Sequence, residues 1–211
     1  MRLFVAVTPP AAALDHLDLA LAAVRRGPAG PDDVVRWSAR DSWHVTAAFY
    51  GEVPDGCVPA LIERLGIVAA ATAPYELELR GAGVFSHRTL WVGVGGDAGR
   101  QRALAAAAAA AGEELGIDPD GRARARAHLT VGRARVGSRP PGRGAGASRG
   151  RPGSGAPDGR TGGVEALVGA LSVYVGPAWR VSELTVQRSE PGAGRGGGPR
   201  YTVLHTATLG G

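Results

Sequence analysis

Two matching tripeptides, His44-Val45-Thr46 and His128-Leu129-Thr130, constrain this chain more than any other feature. Each sits in an apolar run with strand character: Trp43-His44-Val45-Thr46-Ala47-Ala48-Phe49-Tyr50 and Ala127-His128-Leu129-Thr130-Val131. Side chains on a strand alternate faces, so a His and a Thr two apart point the same way. Each tripeptide therefore presents one imidazole and one hydroxyl on a common face. Two such strands brought together surround one small cavity with two histidines and two hydroxyls. That set suits phosphate chemistry. One imidazole takes a proton from a nucleophile, the other gives one to a leaving oxygen, and the hydroxyls hold non-bridging oxygens.

The rest of the chain reads as strands and helices in alternation. Residues 2–7 form a strand that ends at Pro9-Pro10. Ala11 to Arg25 has helical spacing, with Leu14, Leu17, Leu21 and Val24 on one face, and ends at the Gly27–Pro31 turn. Val34 to Trp37 is a short strand, and Val58 to Ala71 a second helix. Tyr75 to Arg80 alternates apolar and charged residues, as a strand with one wet face does. An irregular link through Gly81 and Gly83 joins it to the strand Thr89–Val94. The alanine-rich run Ala98–Leu115 is a helix capped by Gly116. The second motif strand extends to Val136. After residue 163 come a short helix over Val164–Gly169 and strands over Leu171–Val175, Ser182–Ser189 and Arg200–Leu209. One motif falls in each half of this series, which suggests two similar lobes across a cleft.

Charge has to be located before it is interpreted. The net charge is +5, and all 24 basic residues are arginine. Arg139, Arg143, Arg149, Arg151 and Arg160 lie in the stretch 137–163 against the single acid Asp158, which accounts for most of the excess. The high pI therefore does not by itself mark a nucleic-acid surface. That stretch is Gly, Pro, Ser and Arg with almost no large apolar side chain, and it is expected to be a disordered loop. One cysteine, Cys57, excludes an intrachain disulfide and fits a reducing compartment. No apolar run approaches the roughly 20 residues that span a membrane. The expected setting is cytoplasmic, and the expected state a monomer of one bilobal domain over 1–211.

A lone strand histidine is more often structural than catalytic, but duplication of the whole His-x-Thr context reverses that preference. His16, His87 and His205 lack the context and read as structural. Phe49 reads as core, with base stacking in the cleft as the alternative, and Trp37, Trp43 and Trp91 as core or rim. No close His/Cys/Asp/Glu cluster suggests a metal, and no cofactor pattern is present.

The flanks of the two motifs sharpen the reading. Arg36-Trp37 followed by Trp43 to Val53 resembles the first motif of the two-histidine phosphoesterases, and Arg126 to Arg135 resembles the second. Met1–Val7, Leu90–Val94 and Val181–Val186 with Arg188-Ser189 also fit. Together they resemble the RNA 2′,3′-cyclic phosphodiesterase branch, historically named 2′-5′ RNA ligase. The family often carries lysine, leucine and proline where this chain has Ala48, Tyr50 and Ala127. The resemblance implies an α+β fold of two pseudo-symmetric lobes, each an antiparallel β-sheet with helices outside, and an active-site cleft between them. It implies metal-independent hydrolysis of an RNA-terminal 2′,3′-cyclic phosphate to a 2′-phosphate, and associates the family with reversible 2′-5′ RNA ligation. The alternatives are a cyclic phosphodiesterase for small nucleotides and a non-catalytic module that binds RNA ends.

Opening a cyclic phosphate needs in-line attack by water opposite the leaving 3′-oxygen, so acid and base belong on opposite sides of phosphorus. A histidine pKa near 6.5 lets one ring be neutral and its partner protonated. His44 is assigned as the acid on the 3′-oxygen and His128 as the base on water. Thr46 and Thr130 are assigned to the non-bridging oxygens. Arg126 shares the parity of His128 and Thr130 and is the candidate RNA contact, with Arg122 and Arg124 behind it. Arg133 has the opposite parity on a regular strand, and is included because it matches the family's motif arginine and reaches phosphate if the strand bends.

Overall fold

The structure is a computed structural model and describes residues 1–26, 35–119, 126–135 and 164–210. In chain order the elements are β1 (Arg2–Val7), α1 (Ala11–Arg26), β2 (Val35–Trp37), β3 (Val45–Glu52), α2 (Val58–Ala70), β4 (Tyr75–Phe85) and β5 (Thr89–Gly96). They continue with α3 (Ala98–Glu113), β6 (His128–Ala134), α4 (Val164–Leu171), β7 (Trp179–Val181), β8 (Glu183–Glu190) and β9 (Arg200–Thr208). The expected Gly27–Pro31 turn, Arg122, Arg124, Val136 and the stretch 137–163 lie outside the described residues.

The strands form one antiparallel sheet in the order β7-β4-β5-β6-β3-β1-β8-β9, with β2 on β6. Its centre is its weakest seam. β3 and β6 share a single register pair, Val45 with Leu129. Beyond that point β3 leaves β6, and β2 takes over the same edge through Trp37–Gly132, Arg36–Arg133 and Val35–Ala134. The sheet therefore falls into two four-stranded halves, β3-β1-β8-β9 and β6-β5-β4-β7, each led by one motif strand. These are the two lobes expected from the sequence, joined rather than separate.

The helices tie the halves together by crossing over. α1 follows β1 but packs on α4 and β4 of the other half, while α3 follows β5 but packs on β3 and α2. Helical spacing explains the buried faces: Leu14, Leu17 and Leu21 on α1, Leu61, Leu65 and Ala69 on α2, Leu167 and Leu171 on α4. Each fully buried leucine contributes about 1.5–3 kcal/mol relative to an exposed one. On α3 Gln101 and Leu104 are buried near its start, and the buried residues toward its end are small, Ala108, Ala111 and Gly112. The helix can therefore approach β3 closely enough for the Tyr50 hydroxyl to donate to the Ala108 carbonyl at 2.6 Å. Val45 and Leu129 are fully buried against the helices. Their neighbours His44, Thr46, His128 and Thr130 consequently face the other, concave side.

Two expectations are corrected. β4 does not stop at Arg80 but runs on to Phe85, because Gly81, at φ 58°, absorbs a bulge instead of ending the strand. Ser86 and His87, at φ 49° and 53°, then make the tight turn into β5. Leu171–Val175 is not a strand: Leu171 ends α4, and only Val175 makes an isolated bridge, to Arg80. The strand that pairs with β4 is Trp179–Val181.

Gly83 has a steric role. A methyl group there would overlap the indole of Trp91 on the adjacent strand. Gly83→Ala is expected to lower stability by about 1–3 kcal/mol, the usual cost of overpacking. Urea unfolding checks this, with Gly66→Ala as control, because a methyl at Gly66 in α2 meets nothing within 4 Å. That control is expected to gain about 0.5–1 kcal/mol.

Candidate active site

The single pair Val45–Leu129 sets the geometry of the site. In an antiparallel pairing the residue before one partner stands opposite the residue after the other. His44 is thus brought toward Thr130, and Thr46 toward His128, on the concave face. The two rings are close enough for the charge of His128 to act on His44.

Both imidazoles are anchored in the same way. His44 Nδ1 donates to the Ser42 carbonyl at 2.9 Å, and His128 Nδ1 to the Arg126 carbonyl at 3.0 Å. A carbonyl can only accept, so in each neutral ring the proton sits on Nδ1 and the basic lone pair on Nε2. Each ring also rests against two aromatic side chains. His44 lies 4.7 Å from Phe4 and edge-on to Tyr201 at 5.1 Å. His128 lies edge-on to Phe85 at 4.8 Å and 6.0 Å from Trp91. Sequence reasoning does not single out these four as site residues. Trp91, expected in the core or at the rim, is buried, yet its ring borders His128.

Each motif is followed by a bulge. In β3, Ala6 pairs with Thr46 and Val5 with Ala48, which leaves Ala47 extra. In β6, Trp91 pairs with Thr130 and Leu90 with Gly132, which leaves Val131 extra. An extra residue reverses the alternation. Phe49 and Arg133, three places after Thr46 and Thr130, are thereby turned to the concave face. The bend required of Arg133 is therefore present. Its positive charge, with that of Arg2, opposes the upward push of burial on the Tyr201 phenol. The charge of an arginine of the second motif is thus felt at the aromatic partner of the first histidine. Phe49 is not core: it is half-buried with the Arg2 guanidinium 4.8 Å above its ring. Arg126 is exposed, and its guanidinium lies 5.4 Å from the centre of the Trp91 ring.

The other histidines stand apart. His16 is hydrogen-bonded to the Tyr174 hydroxyl at 3.2 Å, and His87 donates to Glu165 at 3.0 Å. Among the described residues no group of three or more His, Cys, Asp and Glu is placed to hold a metal ion. No helix among them is long and apolar enough to cross a membrane.

Burial is the main force on His44 and pulls its pKa down from 6.5 to about 4; the Ser42 carbonyl opposes the shift and the charge of His128 adds to it. The unfolded chain takes up a proton near pH 6.5, the folded one only near pH 4. The stability this ring contributes is therefore fully present above pH 6.5 and is lost as pH falls toward 4. Urea midpoints between roughly pH 7.5 and 4.5, the window this shift sets, are expected to fall less steeply for His44→Gln than for the wild type; equal slopes would contradict the shift.

The curled antiparallel sheet, with one His-x-Thr strand in each half, agrees with the α+β fold that the resemblance to the two-histidine phosphoesterases implies. Residues 7–91 match the LigT like Phosphoesterase family. An RNA 2′,3′-cyclic phosphodiesterase of Geobacillus stearothermophilus is 36% identical over 108 residues, covering 49% of this chain and 34% of that protein. A protein of the same name from Aeropyrum pernix is 31% identical over 97 residues, 44% of this chain and 53% of that one. The chain thus spans between a third and about half of the length of these curated relatives. A crystal structure from Thermus thermophilus matches with a TM-score of 0.70 at 26% identity, covering 100% and 99% of the two chains. E. coli LigT in apo form gives 0.67 at 23%, covering 100% and 98%. The chain thus shares the fold of these structures over its whole length and is similar in sequence to the LigT like Phosphoesterase family over the part that carries its first motif.

Proposed function

We propose that this protein hydrolyses RNA-terminal 2′,3′-cyclic phosphates to 2′-phosphates without a metal, using His44 and His128 as its acid–base pair. The observation that carries the reading is the matched anchoring of the two imidazoles, each with Nδ1 on a backbone carbonyl two residues earlier, beside a threonine on the same face. The names of the curated relatives support the substrate class.

His128 Nε2 takes a proton from water as the water attacks phosphorus. The bond from phosphorus to the 3′-oxygen breaks, and His44 delivers a proton to that oxygen. Thr46, Thr130 and Arg133 hold the non-bridging oxygens, and Arg126 contacts the RNA. In the ligand-free protein His44 is neutral at neutral pH, so its role as acid requires the negative charge of the bound phosphate to raise its pKa. An RNA 5′-hydroxyl in place of water would undergo the same two proton transfers and leave a 2′-5′ linkage.

The test compares an oligoribonucleotide ending in 2′,3′-cyclic phosphate with the four cyclic mononucleotides, with EDTA present. Turnover with the oligonucleotide preferred supports the RNA reading. Preference for mononucleotides moves the function to small nucleotides, and binding without turnover makes the protein an end-binding module.

A further inference from the structure

A stripe of buried polar side chains on β8 lies on the concave face and takes no part in the proton transfers. Thr185, Gln187 and Ser189 alternate along the strand, and all three are buried. Directly paired residues of antiparallel strands share a face. Ala6 pairs with Thr185 and Phe4 with Gln187, and the Phe4 ring is the one against His44. On its other side Gln187 pairs with Val203 of β9, an apolar residue that is 54% exposed.

The Gln187 amide is held in one orientation. Thr185 Oγ1 donates to the Ala6 carbonyl at 3.2 Å, and Gln187 Nε2 donates to Thr185 Oγ1 at 2.8 Å. The Ala6 carbonyl can only accept, so the hydroxyl proton is committed to it and Gln187 must offer Thr185 an N–H rather than its oxygen. Oε1 is the free end of this chain, and among the described residues nothing donates to it. Gln187 is only 6% exposed. A buried carbonyl oxygen without a donor is destabilising, and a bound group that brings an N–H removes that cost.

The proposed proton transfers decide which part of the substrate comes here. His44 protonates the leaving 3′-oxygen, so the ribose and base lie on the His44 side of phosphorus and the attacking water on the His128 side. Phe4 and Tyr201 flank His44, and Gln187 and Val203 adjoin Phe4 on the same face. Aromatic rings, an exposed apolar side chain and one fixed acceptor suit a nucleobase, whose faces stack and whose edge carries N–H groups.

We infer that the base of the terminal nucleotide lies against this face and that Gln187 Oε1 accepts from its exocyclic amino group, so that cytosine is selected over uracil. Cytosine carries an amino group where uracil carries a carbonyl oxygen, and that oxygen would set two acceptors against each other. The direction of the nucleotide rests on the function proposed above; the orientation of the amide does not.

The test uses two oligoribonucleotides ending in 2′,3′-cyclic phosphate that differ only in a terminal cytidine or uridine. The wild type is expected to favour cytidine at least tenfold in kcat/KM, the effect of leaving a buried acceptor unpaired. Gln187→Met keeps the volume and is expected to bring the two substrates level. Thr185→Val keeps the shape but releases the amide, so that Nε2 can turn to the uracil oxygen, and is expected to reduce the preference as well. Should Gln187→Met not fold, Thr185→Val carries the test. Equal kcat/KM values in the wild type, or a preference that survives in the folded variants, would overturn the inference and leave the proposed function in place. Binding of 2′-CMP and 2′-UMP separates the two readings. If no cyclic phosphate is turned over, yet the wild type binds 2′-CMP at least tenfold more tightly than 2′-UMP and Gln187→Met does not, the base site stands and the catalytic reading fails. Absence of both turnover and a binding preference would overturn the two together.

Discussion

His44→Ala and His128→Ala are each expected to lower kcat on a cyclic-phosphate substrate by about 10²–10⁴-fold, the usual worth of one positioned proton transfer. The double variant should lose little more than either single one, because a step that has lost its acid gains nothing from keeping its base. Both rings fill space against aromatic neighbours, so the alanine variants also leave holes. His44→Gln and His128→Gln keep most of the volume and separate the two effects. If the glutamine variants fold with wild-type urea midpoints and retain full activity, the histidines are structural. Steady-state kinetics on all four, beside their unfolding curves, decides the matter.

Arg133→Ala is expected to lower kcat by about 10²-fold, the cost of removing one donor from charge that develops in a transition state. The expectation depends on the bulge at Val131, which turns Arg133 toward the face of Thr130 and His128. Arg133→Lys should recover only part of the loss, because an ammonium cannot bind two oxygens through a planar fork. The loss should appear in kcat rather than KM if the guanidinium acts on the transition state. Arg126→Ala, by contrast, removes an exposed side chain near Trp91 and is expected to act mainly on KM. Equal kinetic profiles for the two alanine variants would remove the distinction between phosphate-holding and strand-holding arginines.

The contrast between these arginines shows what the sequence carries and what it does not. Alternation alone puts His44 with Thr46 and His128 with Thr130 on common faces, because each pair lies ahead of its bulge. Apolar spacing likewise locates α1, since Leu14, Leu17 and Leu21 repeat at helical period and all are buried. Arg133 and Phe49 lie beyond the bulges, where alternation gives the wrong face. A bulge is defined by its partner strand: the extra residue at Val131 exists only relative to Leu90 and Trp91 on β5. Nothing local to Thr130-Val131-Gly132 announces it. Gly81 misleads in the opposite direction, reading as a break while it sits inside β4.

The aromatic partners are hidden for a related reason. Phe4 lies far before His44 in the chain, and Tyr201 far after it. Alternation gives the face of each, but only the order β3-β1-β8-β9 brings both to one ring. Trp179–Val181 escapes detection because three residues are too short to show a period. The Leu171–Val175 run misleads because a short apolar segment does not distinguish the end of a helix from a strand.

The most direct measurement is the identity of the product formed in ¹⁸O-water from an oligoribonucleotide ending in 2′,3′-cyclic phosphate, with EDTA present. The two-histidine reading requires a terminal 2′-phosphate carrying one ¹⁸O on phosphorus, and its absence when His44 and His128 are both glutamine. A 3′-phosphate product, or the same labelled product from the double variant, would contradict it.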